Sequence, residues 1–217
     1  EQRRLALEDG TVVVLNTEVM ALERRGGATQ IATQSHDGEH FTLEADVVVN
    51  AAGLASDRIA AMSGIDIDAC AWRIFPCKGD YFAISGRLAR PTERLVYPLP
   101  HAGGLGVHVT MDLGGRYRLG PDTEYVSAPR YDIDAGKAQA FAEAVQRYLP
   151  AVQASDLSPD FAGVRPKLGG NDVAFRDFVI DHDEESGIVH LVGIDSPGLT
   201  AAAAIAAHVA ARLAGAC

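Results

Sequence analysis

The chain has 217 residues, 47% of them hydrophobic and 22% charged, and a formal net charge of −10. These values exclude a disordered or fibrous polypeptide and argue against nucleic-acid binding, which needs clustered Lys and Arg. Three cysteines, Cys70, Cys77 and Cys217, are odd in number and lack CxxC spacing, so a reducing compartment is expected, with neither a disulfide framework nor a metal site.

The chain opens EQRRLALEDG, without an initiator Met or an apolar leader, which reads as the interior of a longer protein. TVVVLNTEVMALER, TQIATQS and HFTLEA follow as three β-prone runs separated by the turn-forming RGGA and HDGE, the pattern of an antiparallel meander. In ADVVVNAAGLASDRIAAMSGID, the run Val47–Val49 predicts a strand buried on both faces that stops at Ala51, Ala52 and Gly53. A helix follows, with Ser56 or Asp57 as N-cap and Gly64 at its end.

From Arg73 to Leu168 the texture changes. KGDYFAI, RLVYPL, GLGVHVT and RYRLG predict strands broken by Gly and Pro. Asp134 is placed to cap a helix through AGKAQAFAEAVQRYL, with Phe141, Val145, Tyr148 and Leu149 on one face and Pro150 at its stop. The last third returns to an α/β pattern: DFVIDHD and GIVHLVGID flank an ESG turn, and GIDSPGLTAAAAIAAHVAARL then opens a helix whose first turns are nearly bare. No apolar run reaches the roughly 18–20 residues of a membrane helix, so a cytoplasmic protein, or one peripheral to a membrane, is expected.

A helix that begins in small residues leaves its N–H groups open to a ligand's anionic or carbonyl oxygens, although the same residues also suit close packing on a sheet. VVVNAAG likewise ends a strand without bulk, where open α/β sheets bind ligands. ADVVVNAAGLASDRIA, KGDYFAI, GVHVT, LGPDTEY, GVRPK and SPGLTAAAAIA, in this order, resemble the D-amino-acid-oxidase superfamily of FAD-dependent oxidoreductases, with closest similarity to L-2-hydroxyglutarate oxidases and dehydrogenases.

The resemblance implies an α/β (α+β) architecture, a partial FAD-binding Rossmann-like domain interleaved with an antiparallel-sheet substrate domain. Residues 1–72 and 169–217 would form the FAD-binding part and 73–168 the substrate domain. It assigns Val19 to the adenine, and Ala51, Ala52 and Gly53 to the adenosine and pyrophosphate. Gly198, Leu199 and Thr200 would border the flavin, with the helix N-terminus aimed at its C2 carbonyl. Arg165, in a G-x-R-P loop beside the flavin, would bind the substrate carboxylate and orient the α-carbon, contacting both cofactor and substrate. His108 is the candidate base for the hydroxyl proton. Tyr97, with Lys78 and Tyr81, would shape the pocket, and Lys167 is the candidate for a second carboxylate. His36, His40, His101, His182, His190 and His208 show no partner spacing.

The family's G-x-G-x-x-G fingerprint is absent from the sequence: GGLG around Gly103 and LGG around Gly114 lie in the antiparallel part. The chain therefore resembles about the C-terminal 60% of a family member, and its expected partner is the N-terminal FAD-binding segment, from the same parent chain or another. The expected function is FAD-dependent oxidation of a small 2-hydroxy acid resembling 2-hydroxyglutarate. The alternatives are oxidation of an amino acid or secondary amine, and a non-catalytic remnant without cofactor.

Overall fold

The computed structural model describes residues 1–85, 88, 90–99, 106–170 and 176–215; the expectations on His101, Gly103 and Cys217 fall outside them. The chain folds as two compact units. One comprises Glu1–Trp72, Phe178–Val192 and the residues from Ala206 onward; the other comprises Arg73–Asp177 and Gly193–Ile205.

The first unit opens with a short helix, α1 (Gln2–Glu8), where the sequence had suggested no element. Strands β1 (Thr17–Arg25), β2 (Ala28–Ser35) and β3 (His40–Ala45) form the expected antiparallel meander. Its start is later than the apolar run implied: Thr11 to Leu15 lie outside any strand, with Val12 82% and Leu15 65% exposed. β2 ends at Ser35, which pairs with Thr17, so the residues before Thr17 have no ladder to join.

A second sheet holds β4 (Val48–Asn50), β10 (Val179–Asp183) and β11 (Ile188–Val192), with β11 antiparallel to β10 and parallel to β4. The expectation that Val47–Val49 is buried on both faces is corrected: Val47 and Val49 share one face and remain 45% and 44% exposed, whereas Asn50 on the other face is buried. Helix α2 (Ser56–Met62) packs on β11. Ser56 lies inside it and donates to Gly53 O rather than capping it, and Gly64 follows with φ +94° in the left-handed conformation that ends helices.

His190 on β11 is the buried hub of this unit. Asn50 Nδ2 donates to His190 Nδ1 at 3.1 Å and to Ser56 O at 2.8 Å, and His190 Nε2 lies 3.3 Å from Ser63 Oγ, which itself donates to Ala60 O. That donor order holds a neutral imidazole protonated on Nε2. Burial pushes its pKa down, more than Asp181 and Asp183 raise it.

The second unit is a five-stranded antiparallel sheet. β5 (Ile74–Ile84) is its spine, with β7 (Tyr117–Gly120) and β8 (Glu124–Tyr125) on one edge and β9 (Leu157–Leu168) along the other; β6 (His108–Met111) extends it beyond β7. RLVYPL supplies a single bridge, Val96 to Val109, rather than a strand. Helix α3 (Ala138–Val145) covers one face; Asp134 accepts from Gly136 N at 2.8 Å in the turn leading into it. Phe82, Val109, Leu119, Phe141 and Val145 form the core between them.

The α3 face of β5 also carries charge. Lys78 and Asp80 are fully buried and paired, and Lys137 reaches in to Asp80 at 2.7 Å, Asp122 at 2.8 Å and Glu124 at 2.8 Å. Burial opposes the charge on both Asp80 and Lys137, but the pairing wins: Asp80 is held below the usual carboxylate range and Lys137 is raised. Lys78 is thereby corrected as a pocket residue, because its ammonium is committed to Asp80 on the core side.

Finally, α4 (Gly198–Leu213) follows β11 after a loop. Among the described residues, no helix is long and apolar enough to cross a membrane.

Two stability measurements check these assignments. Asp80→Ala strands the buried Lys78 ammonium and should cost about 3–5 kcal/mol in urea unfolding. For His190, folding lowers the pKa, so below about 6.5 the unfolded chain takes up a proton that the folded chain refuses. Stability therefore falls as pH drops from about 6.5 toward the folded-state value, and His190→Gln should flatten that slope.

Candidate functional site

Side chains directly opposed in an antiparallel pair share a face, and alternate residues share it along each strand. Cys77 faces Arg165, Gly79 faces Gly163 and Tyr81 faces Phe161, all away from the α3 face of Phe82 and Ile84. On β7 and β6, Gly120 faces His108, and both alternate with the core residues Leu119 and Val109. One sheet face therefore carries His108, Tyr81, Phe161, Arg165 and Cys77.

At one end of this face lies a cleft of about 280 Å³, lined by Val164, Arg165, Pro166, Ile194, Asp195, Ser196, Pro197, Leu199 and Thr200. It lies within the second unit and joins the two sequence motifs GVRPK and SPGLT. Arg165 sits in the long strand β9, not in a loop as the resemblance implied. β9 has β5 on one edge and no described strand on the other, and an edge strand tolerates the prolines of this stretch. The Arg165 guanidinium makes no hydrogen bond or ion pair with any described residue.

The start of α4 supplies the cleft's other donors. Gly198 N donates to Asp195 O and Ala201 N to Pro197 O, leaving the Leu199 and Thr200 N–H groups without a partner among the described residues. A 16-residue helix concentrates positive potential there. Leu199, at this end, is 92% exposed. Two free N–H groups and a free guanidinium beside an open cleft fit the carbonyl-rich edge of a flavin together with an anionic substrate.

Asp195 is the cleft's one carboxylate, and Lys167 Nζ lies 3.7 Å from it, at the long limit of an ion pair. Lys167 and His108 are not among the residues lining the cleft. His108 is 9% exposed and packs against Tyr97, ring centroids 4.4 Å apart. Tyr97 is otherwise 57% exposed. Cys77 is buried behind Arg165, and burial pushes its thiol up despite the cations Arg165 and Lys167. Tyr125, opposite Cys77, is raised by its own burial.

The remaining assigned residues lie in the first unit. Val19 sits at a bulge in the β1–β2 ladder, which shifts register between Val19 and Ala21. Ala51, Ala52 and Gly53 follow β4, and Ala52 N donates to Asn50 Oδ1 at 3.3 Å, so the His190–Asn50 hub shapes this turn. His190 had shown no signal in sequence because its partners are 140 and 127 residues away. Asp195 was likewise visible only once β9 and the α4 loop were folded.

A protein-family model described as FAD dependent oxidoreductase (DAO) matches residues 1–212. The chain is 38% identical over 183 residues to the mitochondrial L-2-hydroxyglutarate dehydrogenase of Arabidopsis thaliana, covering 76% of this chain and 37% of that protein. It is 25% identical to the L-2-hydroxyglutarate dehydrogenase of Salmonella houtenae, covering 94% of this chain and 55% of that one. Among solved structures, the FAD-bound L-alpha-glycerophosphate oxidase of Mycoplasma pneumoniae superposes with a TM-score of 0.72 at 24% identity, covering 95% of this chain and 53% of that chain. The chain thus spans about half or less of the length of these relatives.

Thiol labelling probes the site face without any ligand. At pH 8 the exposed Cys70 should react with iodoacetamide, whereas the buried Cys77 with its raised pKa should stay unmodified in the native protein. Peptide mass mapping before and after denaturation reads the difference.

Proposed function

The chain belongs to the DAO family of FAD-dependent oxidoreductases, and we propose that it is the part of such an enzyme that binds and oxidises a small 2-hydroxy acid resembling 2-hydroxyglutarate. One observation carries the reading: a guanidinium without a counter-ion among the described residues lines a cleft at the start of α4. A free Arg fork matches a carboxylate bidentately, and every 2-hydroxy acid brings one. The 38% identity to a protein named for L-2-hydroxyglutarate supports that substrate class.

In this reading Arg165 fixes the carboxylate and hence the position of the α-carbon. His108, on the same sheet face, takes the hydroxyl proton; it is held in place by its contact with Tyr97. Lys167 is the second cation available to a diacid, and until then it offsets the Asp195 charge that would repel an anion. Gly198, Leu199 and Thr200 would hold the flavin at the start of α4, and Val19, Ala51, Ala52 and Gly53 would hold the adenosine side. FAD, when bound, supplies the hydride acceptor. The partner is an FAD-binding segment carrying the dinucleotide fingerprint, in the same parent protein or another chain.

The test is anaerobic. FAD bound by the chain together with that N-terminal segment should lose its visible absorbance on addition of L-2-hydroxyglutarate and keep it on addition of glycine or proline. Bleaching by the amino acids alone would replace the hydroxy-acid reading with amine oxidation. Arg165→Met should raise KM for the hydroxy acid at least roughly 30-fold, the loss of about 2 kcal/mol of charge-assisted bonding. An unchanged KM would remove Arg165 from the site.

A further inference from the structure

The β5–β9 face holds a second polar group without a partner. The Tyr81 hydroxyl, like the Arg165 guanidinium, makes no hydrogen bond with any described residue. Its ring is nonetheless fixed. It stacks on Phe161 with centroids 4.3 Å apart and planes at 10°, and Phe161 carries the Arg118 guanidinium 5.2 Å from its centroid. Arg118 is held in turn by Asp112 at 3.1 Å and by Asp160. On the β7 side, a Cβ built on Gly120 would lie 2.7 Å from Tyr81 Cδ1, so the ring abuts that backbone.

Between Arg165 and Phe161 the strand has no side chain. Gly163 faces the same way as both, and a Cβ built there would meet nothing within 4 Å. The opposed Gly79 is covered instead by Pro121, 2.6 Å from where its Cβ would be. The result is a bare patch of backbone bounded by Arg165, Phe161, Pro121 and Tyr81. Arg165 opposes Cys77, four residues along β5 from Tyr81, a span of about 14 Å with Gly163 at its midpoint, so a group seated there is about 7 Å along the ladder from each residue.

We propose that Tyr81 is a substrate-binding residue, whose hydroxyl donates to the carboxylate gripped by Arg165, with that carboxylate seated over Gly163. The proposal rests on the carboxylate-site reading given above. A carboxylate has about four acceptor positions; the guanidinium fork occupies two, and a neutral phenol fills a third without adding charge. The Arg165 charge is felt at the phenol, yet burial outweighs it and raises the Tyr81 pKa, so the donor proton stays on oxygen at neutral pH.

Calorimetric titration of the cofactor-free 217-residue chain with L-2-hydroxyglutarate tests this. Tyr81→Phe should weaken binding about tenfold with an unchanged thermal midpoint, because the hydroxyl has no partner to lose among the described residues. Gly163→Ala should weaken it several-fold, also with an unchanged midpoint, because the added methyl meets only the ligand. Arg165→Met should weaken it most. If Arg165→Met weakens binding while Tyr81→Phe and Gly163→Ala do not, the Tyr81 proposal is overturned and the carboxylate-site reading stands. A Tyr81→Phe loss accompanied by a lowered midpoint overturns it too. If the unmodified chain shows no binding, or Arg165→Met changes nothing, both fall together.

Discussion

The register of β5 against β9 is the constraint on which the second unit depends. Eleven positions are paired from Ile74–Leu168 to Ile84–Leu157, with one shift next to Tyr81. Because side chains alternate, a slip of one residue would move Phe82 and Ile84 off the core and turn Arg165 and Tyr81 toward α3. The hydrophobic cost of such a slip is reinforced by charge. Lys78 and Asp80 lie on the core face with Phe82, and they fit only where Lys137 can complete the set. Core and site are two faces of one ladder, so the forces that pack the core also aim the site.

The two faces differ in what they leave open. On the α3 side, Lys78 and Lys137 are matched by Asp80, Asp122 and Glu124, a satisfied network that holds its shape. On the other side, Arg118 is paired with Asp112 and Asp160, but Arg165 has no partner among the described residues and Lys167 and Asp195 stand at the limit of pairing. A molecule with a net charge of −10 thus keeps a local cation open to an anion. Its surroundings lower the dielectric and strengthen whatever that cation binds.

Local signals in the sequence carried the meander, the turns, the helix behind Asp134 and the strand–turn–strand around ESG, because each is set by residues close in the chain. They failed where partners are remote. Val12 and Val49 have strand-like neighbours in sequence, but exposure depends on what packs against them. The resemblance placed Arg165 in a loop, whereas it lies in β9, whose edge position accommodates Pro159 and Pro166. Arg165 and the SPGLT loop were identified from motif order, and the cleft joining them follows that identification. Tyr81 and Lys78 looked alike as pocket candidates three residues apart; an odd spacing on a strand sends one to each face, and the ladder decides which.

The Asn50–His190–Ser63 hub has an optical consequence. Trp72 is the sole tryptophan of the chain, and its ring lies 5.7 Å from His190. An imidazolium quenches indole emission where a neutral imidazole does so weakly, and all tryptophan fluorescence here originates beside that one histidine. The intensity of the intrinsic emission is therefore a built-in gauge of the protonation of the residue that braces the Ala51–Gly53 turn, readable without a label or a substituted side chain.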